Sequence, residues 1–106
     1  MEGLELISFQ IISAVGTAKS CYVEAMGLAE QGKFEEADAK IKEGEEIFVQ
    51  GHSAHASLIQ KEASGEGVTP TLLLLHAEDQ LMSAETIKIM AERIIKLNKA
   101  VKELQK

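Results

Sequence analysis

Apolar residues recur every three or four positions along most of the chain, which is the spacing of an amphipathic α-helix. The first such segment runs from about Leu4 to Gln31, and Gly32 follows it in the position that commonly ends a helix. The second segment runs from about Phe34 to Ala63. The residues predicted for its inner face are Ala37, Ile41, Phe48, His55, Leu58 and Ile59.

A loop rich in glycine separates the second segment from a third one. It spans residues 64–70, and the third segment runs from Pro70 almost to Lys106. Thr69 is predicted to cap this helix and Pro70 to occupy its first turn. Three long helices with short connections predict an all-α, antiparallel up-down-up three-helix bundle, formed by residues 1–106 as a single domain.

The third segment is apolar on more than one side. Its long stripe consists of Leu72, Leu75, Asp79, Met82, Thr86, Met90, Ile94, Leu97, Val101 and Leu104. Its short stripe consists of Leu74, Leu81, Ile87, Ala91 and Ile95. Because a helix in a single three-helix bundle needs only one apolar stripe, the pattern predicts a homo-oligomer in which the third helix lines the central axis.

Composition narrows the class of protein further. Among the 106 residues, 45% are hydrophobic and only 4% are aromatic, which is typical of a helical bundle built from aliphatic residues. The net charge of −6 argues against nucleic acid as the main partner. The N-terminus lacks the basic residues of an export signal, and we expect no apolar run near the roughly 20 residues that span a bilayer. A cytoplasmic protein without membrane insertion is therefore predicted, and its single cysteine, Cys21, is interpreted as a small buried hydrophobe.

Two polar residues on the third segment call for an explanation. His76 follows four leucines, and Asp79 comes three residues later, within the long stripe. His76 is either a core histidine satisfied by a neighbour or a phosphoryl-accepting or proton-transferring imidazole, with Gln80 and Ser83 placed to donate hydrogen bonds to phosphate oxygens. Copies of Asp79 that converged on a symmetry axis would repel each other unless they were protonated or bound a cation such as Mg²⁺.

Two further histidines lie on the second segment. His52 and His55 are three residues apart, a spacing that could hold a metal ion, but no third ligand is evident. Structural or solvent-edge roles are therefore predicted for both.

The stretch His76-Ala77-Glu78-Asp79-Gln80-Leu81-Met82 resembles a motif of one bacterial family. It is similar to the His-Ala-Gln-Asp-His-Leu-Met pattern of enzyme IIA of the lactose, cellobiose and diacetylchitobiose branch of the sugar phosphotransferase system. The resemblance extends over essentially the whole chain, including residues 11–20 and the stretch from Phe34 to Ala37.

This resemblance implies a fold, a function and partners. The family forms homotrimers of three-helix bundles, nine helices in all, with the third helices around the axis. His76 matches the histidine that accepts a phosphoryl group on Nε2 (tele-phosphohistidine) from the phosphocarrier protein HPr and passes it to a cysteine of enzyme IIB. Enzyme IIB and the membrane permease IIC then phosphorylate a disaccharide during uptake. Asp79 matches the axial aspartate whose three copies hold a divalent ion, expected here to be Mg²⁺.

Two positions depart from the family pattern. Glu78 stands where glutamine is usual, and Gln80 stands where a second histidine is usual. Gln80 can still support the site by donating to a phosphate oxygen, although it supplies no positive charge. Glu78 lies about 200° around a helix from His76, so it is predicted to face elsewhere.

A rival interpretation belongs to a different class of protein. The stretch from Ala29 to Ala37 also resembles the turn of a tetratricopeptide-type hairpin, which would make the chain a binding module without chemistry. Against it, the helices are too long for a repeat of about 34 residues, and a second repeat is absent from the sequence. It also leaves His76 and Asp79 unexplained.

Overall fold

The computed structural model describes residues 3–105, which form three long helices. They are α1 (Gly3–Glu30), α2 (Phe34–Ala63) and α3 (Leu72–Leu104). Within these residues there is no strand, so the predicted all-α fold is confirmed. The molecule is a rod with extents of 59 × 23 × 20 Å.

Glycines in left-handed conformation end the first two helices. Gly32 has a φ of 80° and donates its N–H to the carbonyl of Ala29, while the N–H of Lys33 reaches the carbonyl of Leu28. Gly65, with a φ of 95°, ends α2 in the same way: its N–H donates to the carbonyl of Glu62, and the N–H of Glu66 donates to the carbonyl of Lys61. Since this conformation is strained for residues that carry a Cβ, glycine makes both turns possible, and the predicted stop at Gly32 is confirmed.

The start of α3 differs from the prediction. The helix begins at Leu72, and its cap is Thr71, whose hydroxyl oxygen accepts a hydrogen bond of 3.1 Å from the N–H of Leu74. Thr71 has the extended backbone (φ −117°, ψ 162°) that a cap residue requires. Thr69 and Pro70 therefore precede the helix, and the predicted cap at Thr69 is wrong by two residues.

Two layers of apolar side chains establish the antiparallel order of the helices. One layer joins the first half of α1 and the start of α3 to the end of α2, through residues such as Ile11, Leu81 and Leu58. The other joins the second half of α1 and the middle of α3 to the start of α2, through Tyr22 and Ile41 among others. Because α1 and α3 meet in the same direction and α2 runs against both, the predicted up-down-up order is confirmed.

The contact face of α2 contains two glycines that the sequence pattern did not indicate. Gly44 and Gly51 are buried because α2 approaches α1 closely there. A Cβ at Gly44 would stand 2.5 Å from Cε1 of Tyr22, and one at Gly51 would stand 2.8 Å from Cγ1 of Val15. Ile59, predicted for the inner face, is 53% exposed, so this part of the prediction is wrong.

The two stripes of α3 lie on opposite sides of the helix. Four of the five residues of the short stripe are buried in the bundle, and Ile87 is half-buried. The long stripe faces outward, and its large apolar side chains other than Ile94 are 44% to 86% exposed. They are Leu72, Leu75, Met82, Met90, Leu97, Val101 and Leu104. A single chain thus leaves an apolar surface along most of α3 uncovered, interrupted by the exposed Asp79 and Thr86.

Helix α1 is also unusually apolar. By length and composition alone it could cross a membrane, although 33% of its most apolar 18-residue stretch is buried inside the bundle. The prediction that no apolar run approaches this length therefore does not hold for α1. One side of α1, which includes Ile11, Val15 and Tyr22, is fully buried against the other two helices, as is usual for a helix that contributes to the core of a bundle.

Candidate functional site

The capped start of α3 holds the predicted site residues. After Thr71, Leu74 and Ala77 turn inward and are buried at 5% and 0% exposure. These two residues mark the inward side of the first turns, because a helix places residues three apart on one face. His76, between them in sequence, is exposed.

Asp79 and Gln80 lie one turn beyond His76. Asp79 is exposed within the long stripe, on the side of α3 that faces away from the core. Gln80 is half-buried and follows His76 by four residues, which makes the two side chains neighbours on the helix surface. His76 and Asp79 therefore share an outward face, as the spacing predicts, and His76 is not a core histidine.

Glu78 points to the other side of α3. Its Oε1 lies 3.1 Å from Nε2 of His55 on α2, and both side chains are partly buried. A carboxylate only accepts hydrogen bonds, so the ring N–H of His55 is the donor. The predicted separation of Glu78 from His76 is confirmed, because the two side chains leave the helix toward different surroundings.

Comparison with known proteins identifies the family. The family model for the lactose/cellobiose-specific IIA subunit of the phosphotransferase system matches residues 6–99. The chain belongs to this family. The tetratricopeptide alternative is left without support.

Relatives of this IIA-family chain act in several sugar systems. The lichenan-specific phosphotransferase enzyme IIA component of Bacillus subtilis is 42% identical over 96% of this chain and 93% of its own length. The oligo-β-mannoside-specific EIIA component of the same organism is 41% identical over 90% of this chain and 86% of its own length. A crystal structure of the cellobiose-specific enzyme IIA of Bacillus anthracis superposes with a TM-score of 0.92 at 38% identity, covering 97% of this chain and 95% of that one.

Candidate metal ligands do not cluster within the described part of this IIA-family chain. Within residues 3–105, no group of three or more His, Cys, Asp or Glu side chains is arranged to bind one. Asp79 offers a single carboxylate, free of hydrogen bonds and ion pairs among the described residues, on the uncovered face of α3. This geometry fits an ion bound between copies of the chain, where one oxygen ligand would come from each copy.

The remaining candidate residues have structural surroundings. His55 is paired with Glu78, whereas His52 is exposed with its ring 6.2 Å from the ring of Phe48, so the two histidines do not converge on a metal. Cys21 is buried, and burial is the main cause that raises the pKa of its thiol. The predicted role of Cys21 as a small hydrophobe is confirmed.

Among the residues that the structure describes, three polar links between α2 and α3 stand out that were not predicted. Besides His55–Glu78, they are Glu45–Lys88 at 2.8 Å and Asp38–Lys99 at 3.3 Å. Tyr22 lies beneath the Glu45–Lys88 link and is fully buried. Its hydroxyl has no hydrogen-bond partner among residues 3–105. A groove of about 490 Å³ opens there between α2 and α3. The only sequence signal for any of these links was the presence of His55 on the predicted inner face of α2.

Proposed function

We propose that this chain is the phosphoryl relay of a disaccharide uptake system. His76 would accept a phosphoryl group from the phosphocarrier protein HPr and pass it to a cysteine of enzyme IIB, which works with the membrane permease IIC. The observation that carries the proposal is the exposed imidazole of His76 on the outward face of α3, in a chain of the enzyme IIA family. A relay histidine must be reached by two different proteins in turn, and an exposed position allows this.

The chemistry needs few groups from the chain itself. A neutral imidazole attacks through Nε2, forming a new N–P bond at His76 while the N–P bond of the carrier's phosphohistidine breaks and its electron pair returns to that ring. The reverse roles apply at enzyme IIB, where an S–P bond forms at the cysteine as the bond at His76 breaks. The contribution of the chain is positioning and hydrogen bonding, for which Gln80 is the nearest donor along the helix.

Assembly into a homotrimer belongs to the same proposal. Three copies of the long stripe around one axis would form a nine-helix bundle and cover the apolar surface that a single chain exposes. Asp79 would then meet its two copies on the axis, and a divalent ion such as Mg²⁺ would neutralise their mutual repulsion. We place the assembled protein in the cytoplasm, where its proposed partners act.

Labelling tests the relay directly. The protein is incubated with phosphorylated HPr, and phosphate that is labile in acid and stable in base is measured. We expect label on the native chain and none on His76→Ala, whereas His52→Ala, which removes another exposed histidine, should be labelled like the native chain. Absence of label on the native chain, or equal label on His76→Ala, would refute the relay.

Sedimentation tests the role of Asp79. Replacing Asp79 by Leu removes the repelling charges, so we expect this variant to remain a trimer with or without a chelator. The native protein should lose bound metal on chelation, and metal analysis of the Asp79→Leu protein should find none. Metal retained by that variant would place the ion elsewhere.

A further inference from the structure

The seam between α2 and α3 is held at one end by the pair His55 and Glu78. It is more buried than the two other polar links described above, with side-chain exposures of 23% and 38%. The links Glu45–Lys88 and Asp38–Lys99 are more exposed. The His55–Glu78 link is also the one nearest to His76, which precedes Glu78 by two residues on the same helix.

Apolar packing alone is a weak guide to the rotation of α3 about its own axis. The helix carries Leu74 and Leu81 on its buried side and Leu75 and Met82 on its exposed side. Hydrophobic burial has no direction, so two apolar sides compete for the core far more evenly than an apolar and a charged side would. A hydrogen bond to a carboxylate does have a direction, and a polar pair between helices can therefore select one arrangement among several.

Glu78 and His76 leave α3 about 200° apart, so fixing one fixes the other. When Glu78 is held toward α2 by His55, His76 must point away from α2 and into the solvent-facing surface. We propose that His55 and Glu78 form a positioning pair, which keeps His76 in the orientation needed for phosphoryl transfer. This inference rests on the proposed relay function, and neither residue touches the reacting atoms.

Transfer kinetics provide the first test. Phosphoryl transfer from phosphorylated HPr is followed by rapid quench in the native protein, Glu78→Ala, His55→Ala and the double variant. We expect each of the three variants to transfer the phosphoryl group about tenfold more slowly than the native protein at saturating donor, since a small misplacement of a reacting group is costly. The donor concentration at half-saturation should not change, and the double variant should be no slower than either single one, because the two residues act as one unit.

Two control variants separate positioning from general weakening of the fold. Glu78→Gln keeps an oxygen that accepts the same N–H, so we expect its rate to stay within about twofold of the native rate. Lys88→Gln breaks the next link along the seam, about 18 Å from His76 along the helix. It should lower the melting temperature about as much as Glu78→Ala but leave the transfer rate unchanged.

A readout without HPr distinguishes this inference from the relay itself. Diethyl pyrocarbonate modifies exposed imidazoles, and peptide mass spectrometry reports its rate at His76. We expect a changed rate in Glu78→Ala and His55→Ala and the native rate in Glu78→Gln and Lys88→Gln. A native chain that takes up no phosphate would refute the relay, and the modification rates alone would then decide whether the pair positions His76.

Two results would overturn the positioning pair and leave the relay intact. The first is that Glu78→Ala transfers the phosphoryl group and is modified at His76 as fast as the native protein. The second is an equal slowing in Lys88→Gln, which would show that any loss of α2–α3 packing has the same effect.

Discussion

Gly44 of α2 lies against the ring of Tyr22 of α1. A Cβ at position 44 would stand 2.5 Å from Cε1 and 2.9 Å from Cδ1 of that ring, which is closer than such carbons approach in proteins. Tyr22 has no exposed surface, so its ring has little room to move aside. The absence of a side chain at Gly44 therefore sets how closely α2 can pack on α1.

Replacing Gly44 by Ala should destabilise the bundle. Overpacking of a filled core costs about 1–3 kcal/mol, and we expect a loss of this size in the free energy of unfolding measured with urea. Gly27→Ala is the matched control, because a Cβ at Gly27 would have no atom within 4 Å. It should be neutral or stabilising by up to about 1 kcal/mol, since alanine favours helix more than glycine does. Equal stability of the two variants would contradict the close contact.

The hydroxyl of Tyr22 should lose its proton at a higher pH than an exposed tyrosine does. Burial, and then the charge of Glu45, raises its pKa from 10.0 to about 12. The folded state holds the phenol proton more tightly than the unfolded state. The protonated Tyr22 therefore contributes its full share to the stability of the fold below pH 10.0, and this contribution is lost as the pH rises through about 12. As the chain contains one tyrosine, its ultraviolet absorbance reports this group alone. A midpoint near the ordinary value, with helical circular dichroism intact, would contradict the burial.

Removing the hydroxyl of Tyr22 should do no harm. The hydroxyl has no partner among the described residues, and an unsatisfied buried polar group costs about 1–3 kcal/mol. We therefore expect Tyr22→Phe to unfold at the same or a higher urea concentration than the native chain. A clear loss of stability would instead reveal a hydrogen bond made by this hydroxyl in solution.

The cap of α3 can be tested with two threonines. Thr71→Ala removes the oxygen that accepts the N–H of Leu74, and we expect a loss of about 1 kcal/mol in unfolding free energy. Thr69→Ala, at the cap position predicted from the sequence, should have little effect because α3 starts beyond it. The opposite order of the two losses would support the cap at Thr69.

The long stripe of α3 should govern assembly. Leu97 is 64% exposed in the single chain, so Leu97→Glu should keep its helix content while placing a charge in the proposed trimer interface. Sedimentation is expected to show a smaller particle than the native protein. Lys102→Glu, which introduces the same side chain at an exposed position away from the stripe, should sediment like the native protein. An unchanged mass for Leu97→Glu would exclude this stripe from the interface.

Local spacing was sufficient for much of the architecture. The bounds of α1 and α2, the glycine at the end of α1 and the two stripes of α3 all follow from apolar periodicity and helix-ending residues. The outward position shared by His76 and Asp79 also follows, because both lie on one helix and their relative direction depends on spacing alone. The motif that begins at His76 indicates the family, and the family model that matches residues 6–99 confirms it.

Other features were decided only when the helices packed together. The pairing of His55 with Glu78 joins residues 23 positions apart, and the burial of Gly44 against Tyr22 joins α2 to α1. Both depend on how far each helix is rotated and shifted against its neighbour, and no local pattern encodes these two quantities. The position of His76 on its helix is contained in the sequence, because helical geometry fixes the direction of each side chain relative to the others on the same helix. The residues that surround His76 are decided by the tertiary structure, because the packing of the helices determines which groups each side chain contacts.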